Sequence, residues 1–556
     1  MDIRATMETA QLGASERADG RGRWPAHAVA VGALTACVAA GYSGFALGFY
    51  RTFQTSSYDL VIFDQAVRSY AHFMPGISVI KGVHNFFGPH FSILGDHWSP
   101  ILASLGPLYW IYGSPVTLLV AQAVLFALAI PPLWLFTRRT LGGGRKAVAA
   151  AYLVSAAYAL SWPIASALAF DFHEVAFAPV LTAVALERLS AGRLRTALIA
   201  LGALLLVKED MGLLVAGIGL YLAVARPRVV RRQLAVAAAL IVAGLADTVI
   251  ATYVLIPAFG GRSSYYWAYT ALGPHAPQAA WHLITHPASL KLLVTPEVKL
   301  QTMLWLFGAF CFLSLRSPIA LAAIPLLLER MLANMFPYWW VTSYQYNAYL
   351  VVILVFAAVD GAARLDRQLL ARQQRGAEPE RPPGAEQSAE DAGADGSGGR
   401  ATGPSASRRP WPVALVCTAA ICAVAVSLVP HFAFGAAFHA SFYQRNARAT
   451  AAAAADAVVP SGVTVEAADN LGPQLSARDT VLLWDGDGGT PPLGVSWVVA
   501  NVREPEFTFK GVHEQRQRVT LLERNGYRVV FSRGGYIVLH RASSRRGATG
   551  SKESPG

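Results

Sequence analysis

Apolar stretches long enough to cross a bilayer recur between about residues 27 and 434, separated by short polar or basic turns. A spanning helix needs roughly 20 apolar residues. The runs at about 27–49, 115–137, 147–168, 234–257, 346–363 and 411–434 come close to that length, as do 299–315 and 317–336. A further span returns from Phe170–Glu174 to the basic stretch Glu187–Arg195.

One segment breaks the pattern. Leu204–Val215 reads LLLVKEDMGLLV and sets Lys208, Glu209 and Asp210 among apolar residues. A single helix over 196–225 would be about 45 Å long at 1.5 Å per residue, against a hydrocarbon core of roughly 30 Å. It would also separate Arg193 and Arg195 from Arg226, Arg228, Arg231 and Arg232. Two short helices meeting at the charged triplet keep both arginine groups on one side. The expectation is therefore a hairpin with its polar tip on the opposite, outer side, in a mainly α polytopic transmembrane bundle of about eleven spans.

After about residue 435 the period changes. VTVEA, VLLWD and SWVVANV read as strands, and HEQRQRVTLLERNG as a helix ended by Gly526. YRVVF and YIVLH flank Ser532–Gly535 as a hairpin. This is a small α/β domain over 435–543, expected to be extracytoplasmic. No Gly-rich phosphate loop or nucleophile elbow appears in it, and DGDGG at Asp485–Gly489 reads as a turn rather than a calcium loop. The remaining divisions are a disordered cytoplasmic N-terminus over 1–25, a multi-span domain over 26–365 with a long first outer loop at 50–100, a disordered cytoplasmic linker over 366–410, a last transmembrane helix at 411–434 and a disordered tail over 544–556.

Composition agrees with this picture. The chain is 54% hydrophobic and 14% charged over 556 residues, whereas soluble domains are about a quarter charged. Its net charge of +12 comes from basic residues between apolar runs, such as Arg138, Arg139, Arg145 and Lys146. That distribution fixes topology and points to no nucleic-acid partner. Arg17, Arg21 and Arg23 precede the first span and place the N-terminus on the cytoplasmic side of the membrane. That first run reads as an uncleaved helix. The four cysteines, Cys37, Cys311, Cys417 and Cys422, lie in apolar runs and read as small buried hydrophobes, not as a disulfide or zinc set.

With this topology the awkward ionisable residues fall at one face. The first outer loop carries Asp59, Asp64, His84, His90, Asp96 and His97; the second tip carries Asp171, His173 and Glu174; the third carries Lys208, Glu209 and Asp210. Asn334, Tyr344 and Gln345 end a later hairpin there. Charge at such positions is functional by default; the bland alternative is a set of solvated loop ends. In YDLVIFDQAVRSY, Leu60, Phe63, Val67 and Tyr70 recur at helical spacing, which predicts an interfacial helix with its apolar face toward lipid. Asp59 opens it and serves either as helix cap or as general base or metal ligand. Asp64, five residues on, points elsewhere, so the two form no carboxylate dyad. His90, Asp96, His97, Asp171, His173 and Glu174 are the candidates for a divalent metal, although no standard zinc spacing is present. Hydrogen-bonded loop histidines are the commoner reading.

DLVIFDQA, DHWSPILASLGPLYWIYG (Asp96–Gly113), FDFHEVAFAP (Phe170–Pro179) and VKEDMGLLVAGIGLYL (Val207–Leu222) together resemble a bacterial membrane-protein family, domain of unknown function 2079. That family is in turn similar to the C-type membrane glycosyltransferases. The resemblance implies a multi-span fold with a long first loop and a soluble domain after the last span. It also implies sugar transfer from a polyprenyl-phosphate carrier to a glycan or lipid acceptor on the outer face. Asp59 matches the early-loop acid of such enzymes, and Lys208 the lysine at the tip of a short hairpin. The chain departs from the pattern at Val61, where a glycine is usual, and at Gln345-Tyr346, where His-Tyr is expected. Transfer needs a base for the acceptor hydroxyl, a cation or metal for the leaving phosphate, and an apolar groove for membrane lipid. The alternatives are a transporter or lipid flippase using the same charges, and a non-catalytic envelope-assembly protein. The transferase reading requires Asp59 within reach of Lys208 and the Asp171–Glu174 tip.

Overall fold

The structure, a computed structural model, describes residues 3–225, 231–376, 413–486 and 494–542. The expected linker beyond Gly376, the tail 544–556, Arg226, Arg228 and the end of the DGDGG turn lie outside the described residues.

Helices dominate, and among the described residues six are long and apolar enough to cross a membrane: Pro25–Arg51, Pro115–Thr140, Arg145–Ala169, Arg231–Ala258, Gln345–Gln373 and Val413–His431. The other expected spans are built from shorter pieces, Phe177–Ser190, Leu194–Leu204, Met211–Val224, Glu297–Gly308 and Ile324–Leu332. The first helix continues back to Ile3, through the segment expected to be disordered. Cys37 and Cys311 are exposed and Cys417 and Cys422 half-buried. The expectation of buried cysteines therefore fails: Cys37, Cys417 and Cys422 lie on helices whose outer surfaces a bilayer, not the protein, would cover, and Cys311 lies in a turn.

The helices Leu194–Leu204 and Met211–Val224 flank the charged triplet as a hairpin. Its direction follows from contacts. Lys208 pairs with Glu174, just before the helix Phe177–Ser190, whereas Arg139 pairs with Glu187 at that helix's far end. Met211–Val224 then runs back against Arg231–Ile250, with Gly212 on Gly244 and Gly219 beside Ala237. Glycines at the crossing let the two backbones touch, as in other membrane helix pairs.

The C-terminal domain is a five-stranded mixed sheet of order β2-β1-β3-β5-β4. Its strands are β1 (Thr464–Ala467), β2 (Thr480–Leu483), β3 (Trp497–Asn501), β4 (Arg528–Arg533) and β5 (Tyr536–His540). β1 pairs parallel with β2 and β3, and β5 antiparallel with β3 and β4. All five predicted strands form. Gly534 and Gly535, both at positive φ, make the β4–β5 turn, as the tight hairpin requires.

The first loop's helix, Ile62–Ala71, is amphipathic as predicted, but its apolar face turns away from lipid. Leu60, Phe63 and Val67 are buried in the protein core, because the C-terminal domain and the bundle enclose the loop between them. Gln65 donates to the Val481 carbonyl of β2 at 2.8 Å.

The Gly212–Gly244 crossing gives a test of the hairpin. A Cβ on Gly244 would strike the Gly212 carbonyl and stand 2.7 Å from the Ala216 nitrogen. Gly244→Val is expected to lower stability by about 1–3 kcal/mol. Gly202→Ala, in open space, is expected to be neutral or to stabilise by up to about 1 kcal/mol. Thermal unfolding in detergent compares them, and equal effects would contradict the close crossing.

Candidate functional site

Three loops and one hairpin tip meet where the sequence concentrates its charge. Asp59 lies in a π-helical turn, Ser57–Val61, a form that is rare and frequent at functional sites. Its side chain is 27% exposed, and Oδ1 stands 3.5 Å from His173 Nε2. Asp59 is not the helix cap. That role falls to Ser56, whose Oγ accepts from Tyr58 N, and to Asp469 from the C-terminal domain. Asp469 Oδ1 accepts from Ser57 N at 2.9 Å, Tyr58 N at 3.1 Å and Ser56 Oγ at 3.0 Å. The soluble domain thus holds the turn that presents Asp59.

The second tip is locked from below. Gln122 Nε2 donates to the Asp171 and Ala167 carbonyls, and its Oε1 accepts from His173 N. These bonds sustain Asp171 at φ +66°, a left-handed conformation that costs a non-glycine residue energy and clusters at functional sites. Asp171 Oδ2 accepts from Ser56 N at 2.7 Å, tying the two loops together. Phe170 stacks on His173 with centroids 5.3 Å apart and meets Tyr344 edge-on at 4.4 Å. His173 Nδ1 and Glu174 Oε2 are buried without a hydrogen-bond partner.

The triplet supplies the third wall. Lys208 Nζ is 3.1 Å from Glu174 Oε1. Glu209 takes His97 Nδ1 at 2.8 Å and Trp98 N at 3.1 Å. Asp210 faces a cavity of about 270 Å³, lined also by Asp96, His97, Lys208, Glu209, Tyr266, Glu329, Arg330, Tyr346 and Tyr349. Lys208 and Tyr346 form its boundary with the Asp59–His173 pair, which lies outside the lining.

Two predicted residues stand elsewhere. Asp64 is fully buried and bonds to Arg68, Tyr109 and Ser476, so it links loop, bundle and C-terminal domain. His90 is exposed and enters none of these pairs. Asp96 does not join Asp171 and Glu174. It pairs instead with Lys81 at 3.0 Å and accepts from Tyr266 at 2.8 Å. Burial works against both charges of that pair, yet the partner's charge together with neighbouring charges and hydrogen bonds outweighs it, holding Lys81 above and Asp96 below its usual range. Among the described residues no three His, Cys, Asp or Glu side chains converge as a metal site.

Sequence reasoning missed Lys81, Gln122, Glu329, Arg330 and Asp469. Glu329-Arg330 carried a usable signal: a charged pair inside the apolar run Ile324–Leu332, the same anomaly as Lys208–Asp210. The others are polar residues whose partners lie far away in sequence.

A match to the family described as "Predicted membrane protein (DUF2079)" spans residues 50–538. The chain belongs to that family. No curated protein matches the sequence. Among solved structures, this DUF2079 protein is similar to the crystal structure of ArnT from Cupriavidus metallidurans bound to undecaprenyl phosphate. The TM-score is 0.47 at 13% identity, over 94% of this chain and 99% of that one.

Asp469 gives the DUF2079 protein a pH-dependent joint. Burial pushes its pKa up to about 7, the Glu506 carboxyl adds to this, and the bonds from Ser56 and Tyr58 oppose it. An unfolded aspartate titrates near ~3.9. With the folded value raised, this group's contribution to stability is full below about pH 4 and is lost as pH rises through about 7. Wild type is therefore expected to lose thermal stability relative to Asp469→Asn across that window. Glu466, pushed up to about 8 by burial, is common to both and cancels. A difference between the two proteins that stays constant with pH would contradict the assignment.

Proposed function

We propose that this membrane protein transfers a sugar from a polyprenyl-phosphate carrier to a cell-envelope acceptor. The observation that carries the reading is the meeting of Asp59 with His173 and of Lys208 with Glu174. Those two pairs use adjacent residues of one tip, so a carboxylate and an ammonium are held side by side at the same end of the bundle.

The chemistry follows from the pair. Asp59, partly open to solvent, takes the proton from the acceptor hydroxyl while His173 orients its carboxylate. The acceptor oxygen forms a bond to the anomeric carbon. The bond from that carbon to the phosphate oxygen breaks, and its electron pair stays on the phosphate. Lys208 sits where it can balance the charge that develops there. Glu174 holds the ammonium in place and keeps it charged in a site shielded from water. The apolar helix surfaces beside the tip suit a polyprenyl chain, and exposed aromatics such as Trp110 and Tyr112 suit the membrane interface.

Orientation is part of the proposal. Arg139 and Arg188 gather on Glu187 at the end of Phe177–Ser190 opposite to Glu174. Taken as the cytoplasmic side, that end places the N-terminus inside, and the Asp59–Lys208 site and C-terminal domain outside.

Sugar transfer in membranes from radiolabelled polyprenyl-phosphate sugars tests the reading, with wild type, Asp59→Asn and Lys208→Ala at matched expression. Asp59→Asn is expected to lower transfer by about 10²–10⁴-fold while the protein stays folded. Lys208→Ala is expected to abolish transfer and also to destabilise, since it leaves Glu174 buried without a counter-charge. A folded wild type that transfers from no donor would overturn the transferase reading in favour of transport or binding.

A further inference from the structure

The 270 Å³ cavity beside Lys208 is lined by polar atoms that the protein leaves unused. Asp210 Oδ1, Thr248 Oγ1, Glu329 Oε2 and Tyr349 Oη are all buried without a hydrogen-bond partner, and all four residues line this one space. They come from four separate elements: the hairpin tip, the helix Arg231–Ile250, the helix Ile324–Leu332 and the helix Ala348–Gly376. Tyr349 is 1% exposed. Asp210, Glu329 and Tyr349 lie within electrostatic reach of one another. Buried polar groups are nearly always paired, so four idle ones on residues around one cavity mark a place where side-chain rotation would let something else pair with them.

The cations of the inner wall are, by contrast, engaged. Lys208 faces Glu174 and His97 faces Glu209. Arg330 donates to the Trp339 and Tyr346 carbonyls and to Asn347 Oδ1. Arg262 lies exposed at the rim, over the Phe87 ring at 5.4 Å. An occupant of the inner cavity therefore meets two carboxyls and two hydroxyls with capacity to spare, and no spare inner cation beyond the boundary residue Lys208. Trp267, Tyr269 and Trp339 add aromatic surface. The volume sits just under the roughly 300–1,000 Å³ of most small-molecule pockets, enough for one ring.

We infer that this cavity binds a single neutral, polyhydroxylated ring through Asp210, Thr248, Glu329 and Tyr349, and rejects rings that carry a carboxylate. The inference deepens the transferase reading, on which it rests only for taking the ring to be the sugar of the carrier. A carboxylated ring would add a third acid beside Asp210 and Glu329 in a cavity whose inner cations are already paired, so its charge would go unbalanced. A neutral ring offers hydroxyls, each of which donates and accepts. Specificity then comes from polar groups that an unsuitable ring would leave unpaired, the strongest form of discrimination a pocket has.

The test uses the full chain in detergent, with thermal stability read against methyl hexosides and methyl pentosides and against a methyl hexuronide. Neutral glycosides are expected to raise the melting temperature saturably, and the hexuronide is not. Tyr349→Phe removes one hydroxyl and Glu329→Gln replaces an acceptor oxygen by a donor NH2, both with little change of shape, and each is expected to weaken the apparent affinity by about tenfold. Thr248→Val is a third variant should either misfold. A hexuronide that binds as well as the hexoside overturns the inference, as does the absence of any saturable shift, which would mean that water alone fills the cavity. Glycoside binding without transfer from any carrier would sink the transferase reading and leave the pocket standing. Transfer with unaltered sugar affinity in Glu329→Gln and Tyr349→Phe would do the reverse.

Discussion

A lysine taken out of water has to find a counter-charge, and the rest of the site is arranged around where Lys208 finds one. Burying an unpaired ammonium costs several kcal/mol. Glu174, 3.1 Å away, removes that cost only if the Asp171–Glu174 tip and the hairpin tip sit at the same height. The hairpin therefore has to reverse at residues 208–210, which sets the short lengths of its two helices. Glu209 extends the constraint to the first loop through His97. Two ion pairs from adjacent residues thus fix three chain segments relative to one another. Ion pairs contribute little net stability on average, but their geometry is exacting, and here they set position.

The C-terminal domain applies the same logic from above. Asp469 caps the turn that carries Asp59, and Ser476 and Val481 bond to Asp64 and Gln65 on the following helix. A long loop anchored only at its ends would sample many arrangements, and fixing it carries an entropic cost. Contacts from both sides offset that cost. The π-helical turn at Ser57–Val61 belongs to this frame, since Val61 is wholly buried and fills core volume.

Much of this was legible in the sequence, for identifiable reasons. The charged triplet is improbable inside a single span, so the hairpin could be argued from length and arginine placement alone. The strands of the C-terminal domain are short runs rich in β-branched and aromatic residues, with glycines and prolines nearby. What the sequence could not supply were pairings between distant residues. An amphipathic pattern shows that Ile62–Ala71 has an apolar face, yet lipid and protein core are equally apolar, so the pattern cannot say which one covers it. Asp469 sits in AADN, an unremarkable loop, and gains its role only by meeting residues some 410 positions away. The acids of the first loop looked alike in sequence. Asp59 keeps an open side chain, whereas Asp64 and Asp96 are consumed by Arg68 and Lys81.

That distinction between consumed and idle polar groups separates structural from chemical residues across the bundle. Lys299 is buried as deeply as any cation here, yet its ammonium meets the carbonyls of Leu292, Met331 and Ala333 within 2.8 Å and lies over Trp340. It closes the end of a helix and has nothing left to offer a ligand. Arg330 is likewise spent on backbone and Asn347. At the tips the balance reverses: Asp171, His173, Glu174, Asp210 and Glu329 each keep a buried atom without a partner, and Asp171 keeps a strained backbone as well. A fold under selection for stability alone would have removed such costs, because pairing these atoms or replacing them by apolar groups is easily reached by substitution. Their gathering along one face of the membrane domain is what the proposed site for a second molecule calls for.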